Sequence, residues 1–143
     1  MTRVAVPSIS FCQTEALRDE LLDAYPDTRF NDTGRRMSDD ELVMFLTGRD
    51  AAIMGLENLT ADMLDRLPEL KIISRMGVGL DNVDPAMLRD RGIRVGWTGG
   101  TNSRSVAELA IAFMVCSLRH VAPLYAAMRD DERPRQQMGR HLG

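Results

Sequence analysis

A chain of 143 residues is the length of one domain, or of one domain and part of another. Its 44% hydrophobic and 27% charged residues are those of an ordinary globular protein, and a net charge of −3 leaves no basic footprint for nucleic acid. The only cysteines, Cys12 and Cys116, have neither disulfide-framework nor metal-site spacing, so a reducing cytoplasm is the simplest setting.

The opening Met-Thr-Arg-Val-Ala-Val has no apolar run long enough for a signal peptide. Arg3–Pro7 is apolar and β-branched, which predicts a buried strand. Glu15–Ala24 sets Leu17, Leu21, Leu22 and Ala24 near helical spacing, and Pro26 stops that helix. Arg29–Phe30 begins a short second strand, and Asn31-Asp32-Thr33-Gly34 is turn chemistry. Ser38-Asp39-Asp40-Glu41 is a capping box, in which the serine oxygen and the glutamate side chain satisfy free amides of the next helix. Asp39-Asp40-Glu41 is accordingly a helix start favoured by the macrodipole, not a metal site.

Ala51–Met54 predicts a third strand. Thr60 is placed to cap a helix through Leu67, ended by Pro68, and Lys71–Ser74 predicts the fourth strand. Asp84-Pro85 starts a helix with a carboxylate cap and a proline at its first position; Gly92 closes it, and Ile93–Val95 is the fifth strand. This alternation predicts an α/β fold, a doubly wound parallel sheet of about five strands with helices on both faces.

From Gly99 the character changes. Gly99-Gly100 is a flexible joint, which places a boundary near Thr98–Thr101. Ser105 and Glu108 read as a second capping box. The segment from Val106 to Cys116 is apolar on nearly every face, so a long helix buried all round is expected, with another domain or subunit covering it. The apolar stretch Val106 to Leu118 contains Glu108 and falls short of the ~20 residues a membrane span needs, so no membrane role is expected. Pro123 is expected to kink or end this helix. The charged tail Arg129-Asp130-Asp131-Glu132-Arg133-Pro134-Arg135 is expected to be exposed.

The chemistry-bearing segment is Ser74-Arg75-Met76-Gly77-Val78-Gly79-Leu80-Asp81-Asn82-Val83-Asp84. Gly77-Val78-Gly79 follows a strand, where ligands of parallel sheets bind. From the glycines alone, a plain tight turn and an anion nest of successive amides both remain open. A dinucleotide fingerprint fails, because Asn82 stands at the third glycine and the next helix starts too late. Arg75 is either an exposed arginine at a strand end or a guanidinium holding a carboxylate or phosphate.

Together with Thr101-Asn102-Ser103-Arg104-Ser105-Val106-Ala107-Glu108-Leu109, this segment resembles the substrate-binding half of the D-2-hydroxyacid dehydrogenases, especially their phosphoglycerate dehydrogenase-like branch. The shared pattern is a strand, a glycine-bracketed turn, then Asp-Asn-x-Asp opening a helix, here Gly77, Gly79, Asp81, Asn82 and Asp84. Asn31–Arg35 and Gly55–Thr60 also look like this branch, so the resemblance spans essentially the whole chain.

The resemblance implies a flavodoxin-like substrate-binding (catalytic) domain over residues 1–98. It implies a hinge, interdomain helix and dimerisation segment over 99–143, leading to an NAD-binding domain that this chain lacks. It implies that backbone amides of Met76, Gly77, Val78 and Gly79 hold the carboxylate of a small 2-hydroxy or 2-keto acid, and that Arg75 contacts a distal anion. Asp81 and Asn82 would hold the turn together. Asn102 matches a hinge asparagine near substrate and nicotinamide, and Val106 with Ala107 and Glu108 opens the helix facing the cofactor cleft. Ser8–Phe11 looks like the loop lining the substrate pocket, with a packing role for Phe11 equally compatible. NAD or NADP and a homodimer are the implied cofactor and partner.

Departures bear on the substrate. Ile53-Met54-Gly55-Leu56-Glu57 carries an acid where some phosphoglycerate dehydrogenases have a phosphate-binding arginine. Val78 stands where phosphite-oxidising relatives have lysine. The family's catalytic His–Glu pair and arginine lie in or beyond the nucleotide domain. His120 and His141 match none of them and receive no catalytic role, and the chain alone is expected to be inactive. The alternative is a non-catalytic small-acid binding or co-repressor-like interaction module.

Overall fold

A computed structural model describes residues 1–130 and 137–141. The elements are β1 (Val4–Val6), α1 (Ile9–Cys12), α2 (Glu15–Ala24), β2 (Thr28–Phe30), α3 (Asp39–Leu46), β3 (Ala51–Met54), α4 (Ala61–Asp65), β4 (Ile72–Arg75), α5 (Pro85–Asp90), β5 (Arg94–Gly96), α6 (Ser103–Leu118) and α7 (Val121–Arg129). The chain divides into two compact units, Met1–Gly99 and Gly100–Gly143.

The first unit is a five-stranded sheet in the order β2-β1-β3-β4-β5, with every pairing parallel. This is the flavodoxin-like order of a doubly wound sheet. Successive side chains of a strand point to opposite faces, and two cores follow from that alternation. Ala5, Ala52, Met54 and Ile73 share one core with Leu42 and Leu46 of α3, Leu64 of α4 and Leu88 of α5. Val4 and Val6 join Cys12, Leu21 and Phe30 in the other, where Ile53 also packs. Short strands apolar on both sides are what a parallel sheet between helices requires.

Local chemistry sets the boundaries. Ser38 and Glu41 form the expected capping box, and Arg35 grips the Glu41 carboxylate through two nitrogens at 3.0 and 2.6 Å. Arg35 and the Ser38 amide together lower the Glu41 pKa from 4.5 to about 2. Asp84 caps α5 by accepting from the amides of Ala86 and Met87, with Pro85 in the first turn. At the amino-terminal edge of the sheet, Asp50 accepts from both the backbone and the Nε of Arg3, each at 3.0 Å. That pairing holds its carboxyl well below the usual range.

Several elements differ from expectation. α4 ends at Asp65 rather than Leu67, because Arg66 and Leu67 close tighter i→i−3 turns to Met63 and Leu64. β4 and β5 each sit one residue further along than predicted. The single turn α1 has no counterpart in the sequence reading, since four residues carry no readable period.

The second unit brings larger corrections. α6 starts at Ser103, so Ser105 lies inside the helix and forms no capping box; Glu108 instead accepts from Arg104 one turn earlier. Pro123 does not end α6. The break falls at Arg119 and His120, where His120 takes φ 54°, and Pro123 lies in the first turn of α7, where a missing N–H costs nothing. The two helices meet at 66°, and among the described residues no single helix is long and apolar enough to cross a membrane. The expectation of a helix buried all round is not met within this chain. No residue of α6 is buried, and Phe113 is 62% exposed. Two helices without a sheet cannot enclose one another's whole circumference. Of the charged tail, Arg129 and Asp130 are exposed, and residues 131–135 lie outside the described residues.

Ser38→Ala should cost about 1 kcal/mol of stability through loss of a helix cap, read as a lower urea midpoint. Glu41 stabilises the fold above its ordinary range, and its contribution fades as pH falls from 4.5 towards about 2. The stability difference between the native protein and Glu41→Gln should therefore narrow over that interval. A difference constant with pH would remove the Arg35–Glu41 pair from the account.

Candidate functional site

All five strands point the same way, so the loops after β1, β3, β4 and β5 gather at one edge of the sheet. Ligands of open parallel sheets bind beyond that edge. The turn after β4 begins with Met76, which donates its amide to the Met54 carbonyl at 2.8 Å and extends the ladder by one residue. Gly77 then takes φ +134°, a conformation that glycine reaches without a Cβ penalty. The amides of Gly77, Val78 and Gly79 have no acceptor among the described residues.

The carbonyls of the same turn are well supplied with donors. Arg75 folds back so that its Nε donates to the Gly79 carbonyl at 2.9 Å and its Nη1 to the Met76 carbonyl at 2.9 Å. A longer contact of 3.4 Å runs from Nη1 to the Met54 carbonyl. Trp97, just past β5, donates its indole Nε1–H to the Val78 carbonyl at 3.0 Å. Asn82 donates to the carbonyls of Gly55 and Glu57 at 3.1 and 2.6 Å, joining this turn to the loop after β3. The carbonyls of Met76, Val78 and Gly79 thus have donors, whereas the Gly77 carbonyl has none among the described residues. Successive unpartnered amides beside a guanidinium, here running from Gly77 to Asn82 among the described residues, are the donor set from which anion nests are built.

The structure sorts the sequence-derived site residues. Gly77, Val78 and Gly79 offer free amides, whereas the Met76 amide is consumed by the sheet. Met76 contributes its side chain, whose Sδ accepts from Ser8 Oγ at 3.5 Å and Ser10 Oγ at 3.8 Å. Arg75 spends its Nε and Nη1 on backbone carbonyls rather than presenting its whole fork outward. Asn82, expected with Asp81 to hold its own turn together, instead ties that turn to the loop after β3, and the Asp81 side chain makes no hydrogen bond among the described residues. In the second unit, Asn102 precedes α6 without a side-chain cap, and Val106 lies four residues on, on the same helix face. His120 occupies the helix break and His141 is exposed.

Trp97 was not singled out by the sequence reading. Its signal was available, as the only tryptophan of the chain, placed directly after a strand and carrying a polar N–H that seeks an acceptor. Glu57 was read only as a missing arginine, yet its carboxylate accepts the Gly55 amide at 2.6 Å and fixes the loop after β3.

The first unit does not fit a dinucleotide. α5 begins at Pro85, too far from the glycines to bring its amides to a pyrophosphate, and Asp84 already occupies those amides. Among the described residues, no group of three or more metal-ligating side chains converges.

Residues 8–133 match the D-isomer specific 2-hydroxyacid dehydrogenase catalytic domain. The chain belongs to this family. Hydroxypyruvate reductase of Thermotoga maritima is 34% identical over 99 residues, covering 68% of this chain and 32% of the relative. Human D-3-phosphoglycerate dehydrogenase is 32% identical over 110 residues, covering 76% of this chain and 21% of the relative. The chain thus spans a third or less of the length of these relatives. In fold it is similar to the NAD+-bound 3-phosphoglycerate dehydrogenase of Entamoeba histolytica, with a TM-score of 0.73 at 19% identity, over 99% of this chain and 43% of that one.

Arg75→Met should release the turn from its carbonyl side. The single indole N–H should then exchange with solvent faster and lose the shift caused by the Val78 carbonyl, read by proton NMR. An unchanged indole signal would show that Trp97 holds the turn without Arg75.

Proposed function

We propose that this chain is the substrate-binding part of an NAD(P)-dependent oxidoreductase that interconverts a 2-hydroxy acid and a 2-keto acid. The observation that carries the proposal is that the Gly77, Val78 and Gly79 amides, the start of a run without acceptors among the described residues, lie in a turn held from its carbonyl side. A carboxylate lying in the nest receives those amides and the positive field of Arg75. Its attached carbonyl carbon is thereby set in a fixed direction, which is the positioning that hydride transfer needs. Nicotinamide, when bound, supplies or accepts the hydride.

On this reading, residues 1–98 form the substrate domain. Residues 99–143 form the hinge, the interdomain helix and a dimerisation segment, with Asn102 and Val106 on the cofactor side. The family membership and the NAD+-bound relative of similar fold support a nicotinamide cofactor. The open apolar surface of α6 supports a homodimer or a covering domain. The acid–base group is assigned to neither His120 nor His141.

Pyruvate is the minimal probe. Titrated into the 15N-labelled chain, it should shift the Gly77, Val78 and Gly79 amides saturably, since a new acceptor enters their hydrogen-bonding positions. The chain should consume no NADH in the presence of pyruvate. Shifts spread over surface arginines with none at these three amides would sink the carboxylate assignment.

A further inference from the structure

A peptide group is one rigid plane, with its C=O and N–H pointing opposite ways across the trans bond. A donor on one residue's carbonyl therefore fixes the direction of the next residue's amide. In the turn after β4, Arg75 Nη1 on the Met76 carbonyl fixes the Gly77 N–H in this way. Trp97 Nε1 on the Val78 carbonyl fixes the Gly79 N–H, and among the described residues that carbonyl has no other donor. The bond also polarises the peptide, which makes the Gly79 N–H a stronger donor. The two clamps come from different places. Arg75 ends the strand that leads into the turn, whereas Trp97 follows β5, at the edge of the sheet.

What sets Trp97 is Gly99. A Cβ at position 99 would stand 2.7 Å from Cη2 of the indole, 3.0 Å from Cζ2 and 3.4 Å from Cζ3. The ring thus lies directly against the Gly99 backbone. Gly99 is not among the residues of positive φ, so the ring rather than the backbone conformation excludes a side chain there. The indole is flat and rigid, and the carbons that face Gly99 cannot shift without carrying Nε1 with them. Gly99 is also the last residue of the first unit.

We propose that Trp97 is the positioning residue of the Gly79 amide and that Gly99 sets Trp97, so that the last backbone segment of the first unit bears on the turn after β4 through one indole ring. For its ligand, this assignment rests on the carboxylate reading of the turn. Trp97 is half-exposed, so replacing it empties no core.

The test uses the chain labelled with 13C and 15N, with pyruvate as the probe. Trp97→Phe keeps an aromatic ring and removes the N–H. Without ligand, the Val78 carbonyl carbon should move upfield, as a carbonyl does on losing a donor, while the Met76 carbonyl stays. Pyruvate should bind about threefold more weakly, the scale of one net hydrogen bond. Its shift at the Gly79 amide should shrink while the shift at Gly77, held by Arg75, persists; a general loosening of the turn would weaken both alike. Gly99→Ala should move the Val78 carbonyl carbon when Trp97 is present and add little in the Trp97→Phe chain, where the ring holds no bond to Val78. An unmoved Val78 carbonyl in Trp97→Phe overturns the proposal, as does equal weakening at Gly77 and Gly79, or a Gly99→Ala effect that is the same in both backgrounds. If pyruvate moves none of these amides in the native chain, the carboxylate reading falls, and the role of Trp97 stands or falls on the ligand-free Val78 carbonyl alone.

Discussion

Parallel pairing is the constraint from which the rest of the first unit follows. Each strand must be followed by a crossover before its neighbour can begin, so helices cover the faces and loops collect at the edges. The ladder's hydrogen bonds run out at the carboxyl edge, and the backbone there must find other partners. In the turn after β4 the partners are unevenly distributed. Arg75, Trp97 and Asn82 bring donors to carbonyls of this turn and of the loop beside it. Among the described residues, no side chain brings an acceptor to the amides of Gly77, Val78 and Gly79. Side-chain donors thus take up the carbonyls of Met76, Val78 and Gly79, while the amides above them keep no partner among the described residues. An anion docking on this turn would meet amides whose own loop is already held from the carbonyl side, with no need of a cation aimed at it.

That economy explains what was legible in the sequence and what was not. β3 and α2 fall on their expected residues because Ala51–Met54 is a short apolar run and Glu15–Ala24 is a periodic one ended by proline. The caps at Ser38, Thr60 and Asp84 were readable because a side chain and its amide lie within three residues of each other. The clamp was not, because its acceptors are backbone carbonyls, which every residue possesses and no sequence displays. Arg75 therefore looked like a residue for a ligand's far end, when two of its nitrogens close on its own loop. The Met76 amide looked free because one further rung of the β3–β4 ladder cannot be counted from composition.

α6 failed for a different reason. Its apolar circumference was read correctly, and burial was inferred from it, but burial is a property of the neighbours as well as of the helix. Phe113, Leu109 and Ile111 remain more than half exposed. Each such side chain, once fully covered, contributes roughly 1.5–3 kcal/mol. Several of them together exceed what a surface helix normally leaves in water, which is the physical argument for a covering domain or a second copy of the chain.

The same reliance on backbone acceptors joins the turn after β4 to the loops beside it. Asn82 belongs to that turn, yet its hydrogen bonds end on the carbonyls of Gly55 and Glu57 in the loop after β3. Glu57 in turn takes the Gly55 amide on its carboxylate. A Cβ at position 55 would stand 2.7 Å from Ser8 Oγ, and Ser8 reaches Met76 Sδ, so a larger residue there would push on the loop after β1 and on the turn after β4 together. The course of the backbone at this edge of the sheet is therefore set by contacts between loops rather than within any one of them, and the three loops hold or fail together.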